Sequence, residues 1–189
     1  MADSLTLNVM STLTERLVGA ARLDARTYEE VESDPNATTQ AMTVVVLSSI
    51  AGGIGTASIG GLSPRSLVTY TLAALLAWAA WAVLTYLIGT NLLPEPHTKA
   101  NVGELLRTTG FAASPGLLRV IGVVPGLSQI VLIVTAFWML ATMVVAVRQA
   151  LDFRSTGRAV LVCIVGWVIS TALAFLLAMM LGVTVQSGL

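Results

Sequence analysis

Four long stretches of this chain contain no charged residue: 35–64, 66–94, 120–147 and 159–189, which are 30, 29, 28 and 31 residues long. The hydrocarbon core of a bilayer is about 30 Å thick, so a spanning helix needs roughly 20 predominantly apolar residues. Each run is long enough to hold one. Only 11% of the 189 residues are charged and 56% are hydrophobic, whereas a soluble domain carries about 25% charged residues. Lipid is therefore the main solvent. The expected fold is all-α: a polytopic membrane helix bundle, preceded by short amphipathic helices.

Residues 1–34 form a polar arm with three Arg and seven Asp or Glu. The arm has no apolar core of the signal-peptide kind, so it is expected to stay on the protein. Leu13, Leu17, Val18 and Ala21 recur at helical spacing and predict an amphipathic helix over 7–21. Such a helix lies at the headgroup boundary or against the protein's own loops. Thr27-x-x-Glu30 reads as a capping box for a second helix over 27–32. Asp34-Pro35 reads as the cap and first turn of the first span.

The spans are expected at about 35–58, 67–93, 102–124, 127–148 and 159–185. In the first, Ser48, Gly52, Thr56 and Gly60 fall four apart. Small residues at that spacing let two backbones approach where lipid removes the hydrophobic drive to associate. Trp78 and Trp81 of the second span and Trp138 of the fourth are expected to pack. Asn36-Ala37-Thr38 matches a glycosylation sequon only weakly.

The segment at 102–124 sets the crossing count. It is apolar, but Gly110 and Ser114-Pro115-Gly116 interrupt it, and it carries Glu104, Arg107 and Arg119. Cytoplasmic loops collect Lys and Arg. If all five segments cross and the arm is cytoplasmic, eight basic residues lie inside and two, Arg65 and Arg119, outside. If this segment is re-entrant, the split falls to six and four. Five crossings, with the N-terminus inside and the C-terminus outside, is the better reading. Pro115 has no N–H, and its ring clashes with the carbonyl four residues back, so the helix must break near Ala113. Irregular backbone is not tolerated facing lipid, so the break belongs inside the bundle. Ser114, a neighbouring Thr, a water or a partner's side chain would satisfy the carbonyls freed there. Arg119 is expected near the outer interface, its stem reaching towards water.

The loop 148–158 is the only dense cluster of charge after the arm. Arg148 and Asp152 are four apart and are expected to pair, for about 0.3 kcal/mol. Cys163 is the only cysteine and His97 the only histidine. No disulfide, metal centre or cofactor site is expected, and neither is an enzyme. There is no Ser/His/Asp set, no Cys/His pair and no paired intramembrane carboxylate. A net charge of zero argues against a nucleic-acid partner.

Two blocks resemble the Yip1 family in its prokaryotic branch. The first is Arg16-Leu-Val-Gly-Ala-Ala-Arg-Leu-Asp24, followed by Thr27-Tyr-Glu-Glu-Val-Glu-Ser-Asp-Pro35 and Ala37-Thr-Thr-Gln-Ala41. The second is Gly110-Phe-Ala-Ala-Ser-Pro-Gly-Leu-Leu118, with Trp138 and Ala146-Val-Arg-Gln-Ala-Leu-Asp152. The resemblance implies a cytoplasmic N-terminus and five membrane segments, which the charge count also suggests. Eukaryotic relatives bind Rab GTPases, and nothing in this short arm identifies such a partner.

Three function classes remain: a non-enzymatic scaffold or adaptor in the plasma membrane, an accessory subunit of a larger membrane complex, and a transporter or channel. Carriers usually keep ionisable residues at mid-membrane, and the four clear spans have none. The expected partners are the lipid bilayer and other membrane proteins or further copies of the chain, with no small-molecule substrate. Candidate partner contacts are Tyr28, Glu29, Glu30, Asp34, Arg119, Arg148, Asp152 and Arg154. Ser48, Gly52, Thr56, Gly60, Pro115 and Trp138 are expected to be structural.

Overall fold

A computed structural model describes residues 12–56 and 63–180. Among them every regular element is helical: α1 (Leu13–Ala21), α2 (Ala25–Ser33), α3 (Ala37–Gly55), α4 (Pro64–Leu87), which continues as a π-helical turn (Ile88–Leu92), α5 (Val102–Phe111), a 3₁₀ helix (Ser114–Val123), α6 (Ser128–Ala150) and α7 (Thr156–Met180). Four helices are long and apolar enough to cross a membrane: Ala37–Gly55, Pro64–Leu92, Ser128–Ala150 and Thr156–Leu173. Each is centred on one of the four charge-free runs, three of them reaching past a flanking Arg (Arg65, Arg148 or Arg158). Their outward side chains are mostly apolar, with Phe137 and Trp167 largely exposed. A helix that is apolar all round belongs in lipid.

Local chemistry sets the helix starts. Capping boxes open α1 (Thr12 with Glu15), α4 (Ser63 with Ser66, Pro64 following) and α5 (Asn101 with Glu104). The expected box at Thr27 does not form. A left-handed Leu23 (φ 64°) ends α1, and the N–H groups of Leu23 and Asp24 close onto the carbonyls of Ala20 and Gly19. Asp24 then caps α2, accepting from the Arg26 N–H at 3.1 Å, and Thr27 falls inside the helix. Pro35 is not in the first turn of α3 either. The residue before a proline is held extended, and Asp34 is extended (φ −96°, ψ 103°). Its carboxylate accepts from the Asn36 N–H at 2.9 Å, and the helix begins at Ala37.

The α5 helix stops at Phe111, whose carbonyl is the one the Pro115 ring would strike. The chain recovers as the 3₁₀ helix and keeps its course. Gly110 lies against Ala41, Gly116 against Ser48, Arg119 against Gly52, and Gly122 against Gly55. Both numbers of each pair rise together, so this segment runs beside α3 in the same direction. Ten α-helical and ten 3₁₀ residues would extend about 35 Å if coaxial.

The arm packs into the bundle. Ala20, Tyr28 and Val31 share one buried cluster with Ala37, Ala41, Val44, Phe111, Ala112 and Ala146. A second cluster joins the end of α4, α5, α6 and α7 through Ile88, Leu105, Leu151, Phe153, Ala159 and Val162. Residues 7–11 of the expected first helix, and Gly60, lie outside the described residues.

Candidate functional site

The candidate contacts gather at the end of the bundle where the arm docks, and many are already occupied. Arg16 on α1 is 2% exposed. Its Nε and Nη2 donate to Glu30 Oε1 at 3.0 and 2.8 Å, Nη2 to Asp34 Oδ2 at 2.9 Å, and Nη1 to Gln40 Oε1 at 2.8 Å. Burial alone would lower the Arg16 pKa, but the two carboxylates outweigh it and hold it above the ordinary value. Burial acts on Asp34 in the opposite sense to Arg16 and the Asn36 N–H, which together hold its carboxyl below the usual range. Glu30 and Asp34 therefore bind the arm to itself and to α3. Tyr28 is fully buried and donates to the Ala20 carbonyl at 3.1 Å, so it offers a partner no surface. Glu29 is exposed and accepts from Gln149 Nε2 at 2.9 Å.

Arg107 was not among the sequence candidates, yet it fixes the arm to α5. It is 9% exposed. Its Nε donates to the carbonyls of Val31 and Glu32, both at 3.0 Å, and its Nη2 also reaches Glu32. These carbonyls lie in the last turn of α2, where intrahelical donors run out. The signal for Arg107 was a cation in an apolar stretch; its partners lie some seventy residues away and leave no local pattern. The side chain of Glu32 is half-buried beside this contact. Burial, then Glu104, Asp152 and Glu29, push its carboxyl up to about 7, against the pull of Arg107.

The expected Arg148–Asp152 pair is absent. α6 ends at Ala150, and Asp152 turns left-handed (φ 53°), so the helical spacing that would bring the two together has gone. Arg148 donates instead to the carbonyls of Phe153 (3.2 Å) and Arg154 (3.4 Å). Asp152 and the Arg154 side chain face outward. Glu95, also unforeseen, accepts from the N–H groups of Arg154 (2.9 Å) and Ser155 (3.4 Å) and pairs with Arg158 at 3.5 Å. The loop after α4 is thus clasped to the loop after α6. His97 is exposed beside it.

Deeper in the bundle, α6 reaches the break at Pro115 and engages one carbonyl beside it. Thr142 Oγ1 donates to the Ala112 carbonyl at 2.7 Å, while Ser114 Oγ is buried without a partner. Trp138 Nε1 donates to the Ala21 carbonyl at 2.7 Å and so completes the end of α1. The small-residue stripe of α3 packs on this third segment of the same chain: Ser48 meets Gly116, and Gly52 meets Arg119. Thr56 turns its hydroxyl back to the Gly52 carbonyl at 3.0 Å. Arg119 is far from the other candidates, at the opposite end, where Nε donates to Thr135 Oγ1 at 3.2 Å. Among the described residues no group of three His, Cys, Asp or Glu could hold a metal.

Residues 24–179, from the cap of α2 nearly to the end of α7, match the Yip1 domain. No curated protein and no solved structure matches the chain.

Proposed function

The chain belongs to the Yip1 domain family, and on that premise we propose that it is a non-enzymatic scaffold or adaptor in the plasma membrane, recruiting a protein partner at its arm end. In this reading all five apolar segments cross, with the arm and the 148–158 loop in the cytoplasm and the C-terminus outside. One observation carries the proposal. The arm and the 148–158 loop, more than a hundred residues apart, meet in one surface through Glu29 and Gln149. That surface presents Asp152 and Arg154 outward on a clasped loop, while Arg16, Glu30, Asp34, Glu95 and Arg158 are engaged within the chain. A charged face held together by contacts between distant segments suits recognition of another protein.

The test is native purification from the membrane, with mass spectrometry of co-migrating proteins, for the natural chain and for an Asp152→Arg, Arg154→Glu double variant. The variant should accumulate normally and recover about tenfold less partner, equivalent to about 1.4 kcal/mol. Equal recovery removes this surface. One stable stoichiometric complex, in place of several exchangeable partners, would make the chain an accessory subunit. The crossing count is checked separately by Ser155→Cys in a Cys163→Ala background. Strong reaction with an impermeant thiol reagent from outside would overturn the orientation.

A further inference from the structure

Charge is distributed unevenly between the ends of this molecule. No Asp or Glu occurs between Asp34 and Glu95, between Glu104 and Asp152, or after Asp152. All the described carboxylates therefore sit at the arm end. At the opposite end the described charged side chains are Arg65 and Arg119. The stretch 57–62, which joins α3 to the start of α4, contains no acidic residue. Among the described residues no Asp or Glu side chain is placed to neutralise Arg119.

The surroundings of Arg119 make that shortage significant. The residue is half-buried on the 3₁₀ helix, with its Cδ over Gly52. Nε is held by Thr135 at 3.2 Å, and Nη1 and Nη2 have no partner among the described residues. Gly52 is three residues from the last residue of α3 and Thr135 seven from the first of α6. At 1.5 Å per residue the guanidinium lies about 5–10 Å inside the helix ends, at the depth where the hydrocarbon of one leaflet meets its headgroups. A cation there reaches for phosphate. The planar fork of Arg, with two terminal nitrogens free, matches a phosphate in bidentate fashion.

We propose that Arg119, oriented by Thr135, binds the phosphate of an anionic phospholipid in the leaflet opposite the arm. A zwitterionic headgroup carries its own ammonium, which competes for that phosphate. An anionic one leaves net negative charge for an end of the bundle whose described charged side chains are both basic. This inference needs only that the chain sits in a membrane; it is independent of the scaffold reading.

The test is native mass spectrometry of the detergent-purified full chain, with added dioleoylphosphatidylglycerol, dioleoylphosphatidylcholine or inorganic phosphate alone. The natural chain should retain one phosphatidylglycerol about tenfold over phosphatidylcholine. Arg119→Gln should lower that retention about tenfold, Arg119→Lys should fall between, and Arg65→Gln should change it by less than about threefold. Equal retention of phosphatidylglycerol by the natural chain and Arg119→Gln overturns the proposal, and so does equal retention of the two lipids. Displacement of the lipid by millimolar inorganic phosphate would make this a free-anion site and overturn the lipid assignment. If Arg119→Gln does not stay monodisperse, Thr135→Val keeps the charge and frees Nε. It should weaken retention several-fold, and unchanged retention counts against the site.

Discussion

At the arm end, buried cations are answered by oxygen atoms of the chain: Arg16 by Glu30, Asp34 and Gln40, and Arg107 by the carbonyls of Val31 and Glu32. At the far end Arg65 and Arg119 are the described charged side chains, and close backbone contacts dominate. A Cβ on Gly55 would collide with the Arg119 carbonyl, and one on Gly122 would meet the Gly55 carbonyl oxygen at 2.9 Å. The Ser128 hydroxyl reaches the carbonyls of both Gly55 and Gly122. The two ends are therefore held by different forces. Charged hydrogen bonds in a partly wet setting respond to pH and salt. Backbone contacts between small residues in lipid respond only to volume.

If that contrast is right, the far end should fail on added bulk. Gly55→Val forces α3 away from the 3₁₀ helix, and the atoms in the way are main chain, which has no rotamer to change. Overpacking of this kind costs about 3 kcal/mol. In a chain of this size that lowers Tm by about 10 °C. The measurement is thermal loss of monodisperse protein in detergent, at pH 5 and at pH 8. The drop should be the same at both. A drop below about 2 °C, or one that depends on pH, would mean the far end is not a steric joint.

The legible parts of the fold were those with local signals. The charge-free runs marked the four long helices to within a few residues, because the cost of charge in lipid acts on every position of a span. The break was legible because Pro115 acts on its own backbone. The stripe at Ser48, Gly52 and Thr56 announced close packing without naming the partner, which is another part of the same chain. Pairings between distant segments left no trace. Arg107 and Glu95 do their work across 59 to 76 residues of sequence. Tyr28 looked available because the arm is polar in composition, although Tyr28 and Val31, three apart on α2, both turn inward. Arg148 and Asp152 had the spacing of a pair, and a left-handed turn two residues past the end of α6 removed it.

The arm end should instead respond to a single proton. Glu32 faces Glu29 on its own helix, Glu104 and Arg107 on α5, and Asp152 beyond α6, and its carboxyl is pushed up to about 7 from an ordinary 4.5. Below 4.5 the folded and unfolded chains both carry the proton, and its stabilising effect is fully present. Between 4.5 and 7 the unfolded chain gives it up while the folded chain keeps it, so stability falls as pH rises and levels off above 7. Asp34 works in the other direction. Its depressed carboxyl stabilises above the ordinary carboxylate range and is lost only as pH falls below it. Docking of the arm should therefore be firmest in mild acid and weaker at pH 8. Because Glu32 is only half-buried, solvent screening reduces the effect to roughly 1 kcal/mol. Glu32→Gln keeps the shape and discards the titration. It should melt with the natural chain at pH 4.5 and a few degrees above it at pH 8. Two melting curves that stay parallel across this range would show that Glu32 does not sense pH, and the arm end would then be as indifferent to protons as the far end.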